Sequence, residues 1–79
     1  MKHSRKLFAQ LKPGDLFALT SDLFDFKELI LYGNIVIEKP ALNVSDKIGL
    51  PFNAISLYDG KSKIFINNQA VWHYELIKL

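Results

Sequence analysis

The chain contains no cysteine, only two histidines, His3 and His73, and a single arginine among its 79 residues. Without cysteine, disulfide bonds and thiolate metal sites are excluded, and two histidines are too few for a histidine-rich metal cage. The acids Asp22, Asp25 and Glu28 lack the spacing and the glycine of an EF-hand. We therefore predict no metal and no cofactor, and we interpret these acids as a solvated loop or the first turn of a helix.

Long apolar runs are also absent. No stretch approaches the ~20 residues that a membrane-spanning helix needs. The basic start of the chain is followed by only a short apolar segment at residues 7–9, which is too short for the core of a signal peptide. We therefore expect no membrane association, and the lack of cysteine makes the cytoplasm the expected location.

Motifs for catalysis are scarce. The glycines stand apart, at positions 14, 33, 49 and 60, so the chain has no glycine-rich loop for binding phosphate. His73 and Glu75 share one face of a predicted strand and are the best candidates for general acid–base chemistry. No nucleophile motif accompanies them, and a histidine between Trp72 and Tyr74 is more commonly a structural residue of a sheet. We therefore predict that the protein is not an enzyme.

Positive charge is concentrated at the start of the chain. Residues 1–12 contain four basic residues and no acid, so the net charge of +2 leaves the remainder at −2. An acidic body disfavours phosphate binding, which dominates affinity for nucleic acids. A small nucleic-acid-binding barrel is therefore the alternative function, with Tyr58 and Phe65 available to stack on bases. Its candidate residues are Lys2, Arg5, Lys6, Lys61 and Lys63.

The first part of the chain mixes helix and strand patterns. Residues 4–11 favour a short helix capped by Ser4, because their apolar residues fall on one helical face. Residues 15–20 favour a strand that follows a turn at Pro13-Gly14. Residues 21–28 fit either a helical turn or a loop.

The rest of the chain favours strands joined by turns. Residues 29–38 fit two strands around a type II′ turn at Gly33-Asn34, or one strand with a bulge at Gly33. Residues 40–52 are predicted as a long apolar loop. Three further strands are predicted at residues 53–58, 63–66 and 69–77. A type I′ turn at Asn67-Asn68 precedes the last strand, and we expect its Trp72 face to point inward.

These elements predict one domain, with a basic N-terminal helix or arm at residues 1–12 and a β body at residues 13–79. The expected fold is mostly β, a small antiparallel SH3-like barrel or roll of five to six strands with a short N-terminal helix. The segment Lys12-Pro13-Gly14-Asp15-Leu16-Phe17 resembles the turn-into-strand start of many such barrels. An α+β fold with residues 21–31 helical is the alternative.

Apolar residues make up 49% of the chain, which is high for a domain with so little interior. Some of them must be exposed, and exposed apolar patches commonly mark interaction sites. Leu23, Phe24 and Phe26 lie among acids, in a stretch whose apolar residues follow neither a helix nor a strand periodicity. Leu50 and Phe52 lie in the predicted loop. We predict that these five residues bind a protein partner. A second copy of the chain is the simplest partner, which gives a homodimer or higher oligomer.

The sequence thus predicts a non-enzymatic binding module that acts through protein–protein interaction. Lysine, isoleucine, phenylalanine, asparagine and tyrosine are abundant while arginine is single, a bias typical of AT-rich coding sequences. Together with the small size, this bias favours a phage or mobile-element accessory protein that modulates or inhibits a host protein. The identity of the partner does not follow from the residues.

Overall fold

The structure is a computed structural model that describes residues 1–37 and 53–76. Strands and short helices alternate along these residues. In chain order the elements are β1 (Lys2–Leu7), a 3₁₀ helix (Phe8–Gln10), β2 (Leu16–Ala18), α1 (Phe26–Tyr32), β3 (Asn34–Val36), β4 (Ala54–Ser56), β5 (Ser62–Lys63) and β6 (Ala70–Glu75).

All six strands belong to one antiparallel sheet with the order β1-β6-β2-β3-β4-β5. Within the part of the chain that the structure describes, the sheet is open, and β1 and β5 are its two edges. The prediction of a mostly β chain with little helix is therefore confirmed, whereas closure into an SH3-like barrel is not. The loop predicted at residues 40–52 lies outside the described residues.

Both faces of the sheet are packed, which follows from the alternation of side chains along a strand. In β2, Phe17 belongs to one apolar cluster while Ala18 belongs to a second. In β6, Val71 belongs to the first cluster while Tyr74 belongs to the second, and both are 1% exposed. The prediction that the Trp72 face of the last strand points inward is therefore confirmed, but the opposite face is buried as well, because β6 lies inside the sheet order and is covered on both sides.

Three aromatic rings form the centre of the first cluster. The Phe8 ring lies 5.4 Å from Phe17 and 5.5 Å from Phe65, and Phe17 lies 5.0 Å from Phe65. Such pairs stabilise a core by about 0.5–1.5 kcal/mol each beyond their burial. The Asn53 side chain fixes Phe65 in place, because its Oδ1 accepts from the Phe65 N–H at 3.0 Å and its Nδ2 donates to the Phe65 carbonyl at 2.8 Å.

The helix predicted at residues 4–11 is wrong, because residues 2–7 form strand β1. The strand pairs along its whole length with β6, from Lys2 opposite Glu75 to Leu7 opposite Ala70. This pairing satisfies more backbone groups than an isolated short helix does, and such helices are marginal in water. Only the 3₁₀ helix at Phe8–Gln10 remains, and it buries Phe8.

The hairpin predicted around Gly33-Asn34 is also wrong. Residues 26–32 form helix α1, and Gly33 ends it with a backbone φ of −93°, outside the left-handed region. The alternative prediction, an α+β fold, placed a helix at residues 21–31, and α1 overlaps the later part of that segment. Gly33 donates its N–H to the Leu29 carbonyl at 2.7 Å, and this close approach of the two backbones is what requires glycine.

The strands predicted at residues 53–58 and 69–77 are confirmed in part, as β4 (Ala54–Ser56) and β6 (Ala70–Glu75). The strand predicted at residues 63–66 is largely wrong, because β5 covers Ser62–Lys63 and residues 64–66 are not in a strand. The turn at Asn67-Asn68 is present as well. It is not type I′, because among the described residues only Gly14 and Gly60 have positive φ. No helix within residues 1–37 and 53–76 has the length and apolar character needed to cross a bilayer.

We expect Gly33→Ala to destabilise the fold by about 1–3 kcal/mol, the usual effect of overpacking. A Cβ at this position would overlap the Leu29 carbonyl oxygen and crowd the Leu29 side chain. Urea unfolding of the variant measures the loss. Gly60→Asn is the matched control, because nothing lies within 4 Å of a Cβ there and asparagine tolerates its φ of +71°. Equal stability of Gly33→Ala and wild type would contradict this account of the helix end.

Candidate functional site

Helix α1 leaves most of its apolar side chains in solvent. Leu29 is its buried residue. The other large apolar side chains of the helix, and the phenylalanine just before it, are between 37% and 81% exposed: Phe24, Phe26, Ile30, Leu31 and Tyr32. We call these five residues the helix surface. Single exposed apolar residues are common, whereas five within nine consecutive residues is an unusual density that favours an interaction site.

Two hydrogen bonds fix the start of this helix. The Asp25 carboxylate accepts from the Glu28 N–H at 2.8 Å, and the Glu28 carboxylate accepts from the Phe24 N–H at 2.8 Å. These bonds satisfy N–H groups that a helix start otherwise leaves unpaired. The prediction that the acids belong to the first turn of a helix therefore fits Asp25 and Glu28. Within the described residues, no group of three potential ligands is arranged to hold a metal ion.

Leu23 does not belong to the exposed surface. It is 5% exposed and packs in the second cluster with Ala18, Leu29 and Tyr74. We therefore leave Leu23 out of the helix surface, since a buried side chain is not available to a partner. Phe24 and Phe26 are exposed as that prediction requires, and Leu50 and Phe52 lie outside the described residues.

The Tyr74 hydroxyl attaches the segment before α1 to the sheet. It donates to the Thr20 carbonyl at 2.7 Å and accepts from the Leu23 N–H at 3.4 Å. Burial raises the pKa of the Tyr74 hydroxyl above 10.0, the negative charges of Asp22 and Glu28 raise it further, and the Leu23 hydrogen bond opposes the shift. The neutral phenol is therefore the form that the folded protein favours.

We expect Tyr74→Phe to lower stability at pH 7 by about 1 kcal/mol, because the bond to Thr20 is lost. The folded protein keeps the Tyr74 proton at a pH where the unfolded chain has released it. Wild-type stability should consequently fall as the pH rises above 10.0, and the gap between wild type and variant should narrow there. Thermal unfolding between pH 7 and 11 measures this. Tyr58→Phe, with its exposed side chain, is the control at pH 7, and a gap that widens with pH would refute the assignment.

A pocket of about 400 Å³ adjoins the helix surface. It shares Tyr32 with that surface, and its lining combines apolar and charged side chains. Around it lie Leu19, Leu23 and Tyr32, together with Asp22, Glu28 and Lys63. Asn34 also lines the pocket, is 2% exposed, and has an Oδ1 with no hydrogen-bond partner among the described residues. Sequence reasoning missed Asn34 because it assigned this residue to a turn.

We expect Asn34→Leu to be as stable as wild type or more stable by about 1 kcal/mol, because an unpaired buried acceptor costs about 1–3 kcal/mol. Urea unfolding measures the difference. Asn53→Leu is the matched control, because Asn53 is 5% exposed and both of its amide atoms are hydrogen-bonded. That control should lose about 2–3 kcal/mol by leaving the Phe65 backbone unpaired. An equal loss in both variants would show that Asn34 has a structural partner.

His73 and Glu75, the predicted acid–base pair, lie close together in the structure. Asp15, which the sequence did not indicate, is a third group beside them. The two ring nitrogens of His73 lie 3.8 Å from carboxylate oxygens, Nδ1 from Glu75 and Nε2 from Asp15. Asp15 reaches His73 because the antiparallel register places Phe17 opposite His73. Both distances exceed hydrogen-bond length, and the Nδ1 atom, which is buried, has no hydrogen-bond partner in the described part of the chain. Neither carboxylate therefore orients the His73 ring through a hydrogen bond in this structure.

The predicted nucleic-acid residues are not brought together. Lys2, Arg5 and Lys6 lie on β1 at one edge of the sheet, whereas Lys63 lies on β5 at the other. Along β1 the register separates them further, since Arg5 is opposite Trp72 while Lys6 is opposite Val71, on the other face. Lys61 is exposed next to β5. A nucleic-acid interface on these residues stays a prediction.

The two aromatic residues proposed to stack on bases are placed differently. Tyr58 is 67% exposed and is available for stacking. Phe65 is 8% exposed and packs in the first cluster, so it is not available to a base. This result removes one of the two stacking residues on which the alternative function relied.

Comparison with protein-family models, with curated proteins and with solved structures gives no significant match to this chain. The functional argument therefore rests on the side chains themselves. Among the described residues, the helix surface and the adjoining pocket form the most developed candidate site.

Proposed function

We propose that the protein is a small, non-enzymatic binding module that contacts a protein partner through the helix surface. The observation that supports this proposal is the exposure of Phe24, Phe26, Ile30, Leu31 and Tyr32 on and just before one capped helix. A helix whose only role is to cover the sheet presents a narrower apolar stripe and a polar outer face. Here the exposed residues include Lys27, but Phe26, Ile30, Leu31 and Tyr32 are exposed as well.

The chemistry of this surface suits a binding hot spot. Aromatic residues dominate the energy of many protein interfaces, and burying a phenylalanine side chain contributes about 1.5–3 kcal/mol. Phe24 and Phe26 are 81% and 51% exposed, so much of that area is still available to a partner. A standard interface buries about 800 Å² on each partner, which is about one seventh of the 5600 Å² of this protein.

A second copy of the chain is the partner that we favour. In a two-fold dimer the same patch meets itself, and an apolar helix surface is suited to that arrangement. The β1 edge is less suited, since pairing two copies there would bring Lys2, Arg5 and Lys6 against the same residues of the other copy. Modulation or inhibition of a host protein by a phage or mobile-element protein stays a prediction, as does a cytoplasmic location.

We infer in addition that the sheet belongs to the SH3-like barrels or rolls. The strand order supports this inference, because β2, β3, β4 and β5 form a meander and β6 returns beside β2. The connection from β5 to β6 runs along the first cluster, where Phe65 is buried and Ala9 donates its N–H to the Asn67 carbonyl at 2.9 Å. This arrangement brings the connection against the 3₁₀ helix.

The double variant Phe24→Asp with Phe26→Asp tests the proposal. We expect it to retain the wild-type circular dichroism and thermal midpoint, because both side chains are exposed. Self-association, measured by light scattering and sedimentation, should weaken by about 100-fold or more, since two hot-spot residues are replaced. The matched control is Ile64→Asp with Ile66→Asp, which changes two side chains that are 67% and 66% exposed and are not part of the helix surface.

The control variant should associate like wild type. If the Phe24 and Phe26 changes unfold the chain, those residues are part of the core and the proposed surface is wrong. If the folded double variant associates as strongly as wild type and the control, the interface lies elsewhere. A wild-type protein that is monomeric at all concentrations removes the second copy as the partner.

A further inference from the structure

Strand β1 is a long and regular edge of the sheet. Its six residues all pair with β6 in an uninterrupted register, and among the described strands β1 has no neighbour on its other side. The opposite edge, β5, has two residues. Natural sheets commonly shorten, bulge or cover their edges, because an open edge is able to pair with another chain. The form of β1 is therefore that of an edge able to accept a further strand.

The ladder between β1 and β6 determines which backbone groups of β1 point away from the sheet. The Phe8 N–H donates to the carbonyl of Gln69, the residue opposite it, at 2.9 Å. Antiparallel partners alternate between hydrogen-bonded and non-hydrogen-bonded pairs. Counting back from Phe8, His3 and Arg5 therefore direct their N–H and carbonyl groups away from β6.

A side-chain hydrogen bond agrees with this alternation. Leu7 belongs to the same outward set, and its N–H donates to Gln10 Oε1 at 2.8 Å instead of to β6. Within residues 1–37 and 53–76, His3 and Arg5 have no such side-chain cap. Their backbone groups are therefore open to a partner.

The side chains of β1 favour an acidic partner. The strand contains Lys2, Arg5 and Lys6 and no acid. Glu75, opposite Lys2 on β6, offsets one of these charges, and the edge stays positive. Opposite charges on paired strands stabilise a sheet, whereas like charges oppose pairing. The same lysines that disfavour a second copy of β1 therefore favour a strand that carries acids.

The two faces of β1 determine where those acids are needed. The His3 ring lies 5.5 Å from the ring of Trp72, the residue opposite Arg5, so His3 and Arg5 share one face. Lys2 and Lys6 lie on the other face, since side chains alternate along a strand. An antiparallel partner therefore places two acids four residues apart against Lys2 and Lys6. A third acid, on the partner's other face, lies opposite Arg5.

We propose that the β1 edge binds an extended acidic segment of a protein partner as an added strand. The backbone of His3 and Arg5 supplies the hydrogen bonds, and Lys2, Arg5 and Lys6 select the acids. In strand addition of this kind, main-chain bonds give affinity and side chains give specificity. The β1 edge is separate from the helix surface, so this inference goes beyond the proposed function and does not depend on it.

The peptide acetyl-Val-Glu-Glu-Thr-Val-Glu-Thr-amide tests the proposal, because its acids have the required spacing and its other residues favour strands. We expect saturable NMR shifts at about millimolar concentration. In the free protein, the Ser4 and Lys6 amides should exchange slowly with solvent and those of His3 and Arg5 rapidly. Bound peptide should slow the exchange at His3 and Arg5. Slow exchange there without peptide would show that the edge is already covered and would overturn the proposal, as would absence of binding.

Two N-methylated peptides distinguish strand addition from attraction between charges alone. Methyl groups on the nitrogens of the second glutamate and the second valine, opposite Arg5 and His3, remove donors to β1. This change should weaken binding by about tenfold or more. Methyl groups on the first threonine and the third glutamate point away from β1 and should leave binding unchanged. Equal binding of the two methylated peptides contradicts an added strand.

Charge is tested by Lys2→Gln with Arg5→Gln, which should weaken peptide binding by about tenfold, since two of the three basic side chains are lost. Lys61→Gln with Lys63→Gln is the matched control, because it removes the same charge from exposed residues at and beside β5. The control should bind the peptide like wild type. Equal weakening in both variants would mean that only the net charge matters, and the assignment to β1 would be wrong.

A thymidine tetranucleotide, whose three phosphates match the three acids of the peptide, tests the other class of partner. Weaker binding than that of the peptide supports an acidic protein segment. Tighter binding that leaves amide exchange at His3 and Arg5 unchanged would assign the edge to nucleic acid and overturn the proposal. None of these measurements depends on self-association, so failure of the β1 edge and failure of the helix surface are distinguishable.

Discussion

The pairing of β6 between β1 and β2 is the constraint on which the other features depend. The strand pairs with β1 on one side and with β2 on the other, and it contributes Val71 to one apolar cluster and Tyr74 to the second. The Tyr74 hydroxyl then holds the segment that leads into α1. The helix surface and the pocket are therefore positioned by a strand from which they are distant in sequence.

Composition and local patterns were sufficient for a mostly β chain and for the positions of β4 and β6. They were insufficient at residues 4–11, because the spacing of Phe8 and Leu11 fits a helix face while the pairing with β6 overrides that local preference. They were also insufficient before Gly33, where the β-rich residues 29–32 favoured a strand. The Asp25 and Glu28 caps and the burial of Leu29 stabilise a helix there instead, and intrinsic propensity is a weak guide against such contacts.

The candidate site was predictable in part for a similar reason. The exposure of Phe24 and Phe26 follows from a surplus of apolar residues that a small core does not accommodate. Which of the apolar residues near Phe24 is buried depends on tertiary contacts. Leu23 is the buried one, and its N–H donates a hydrogen bond to the Tyr74 hydroxyl. Asn34 and Asp15 gave no sequence signal, because the role of each depends on the register of strands that local patterns do not fix.

The antiparallel pairing of β1 with β6 also determines the order in which the fold is completed. In the described sheet, β6 is the sole neighbour of β1, so residues 2–7 have no strand to pair with until residues 70–75 are available. Contacts between such distant parts of a chain form slowly, because loop closure must precede them. During synthesis on the ribosome, Phe8 and Phe17 therefore lack the cover that Val71 provides until β6 has emerged, and β1 joins the sheet only after that point.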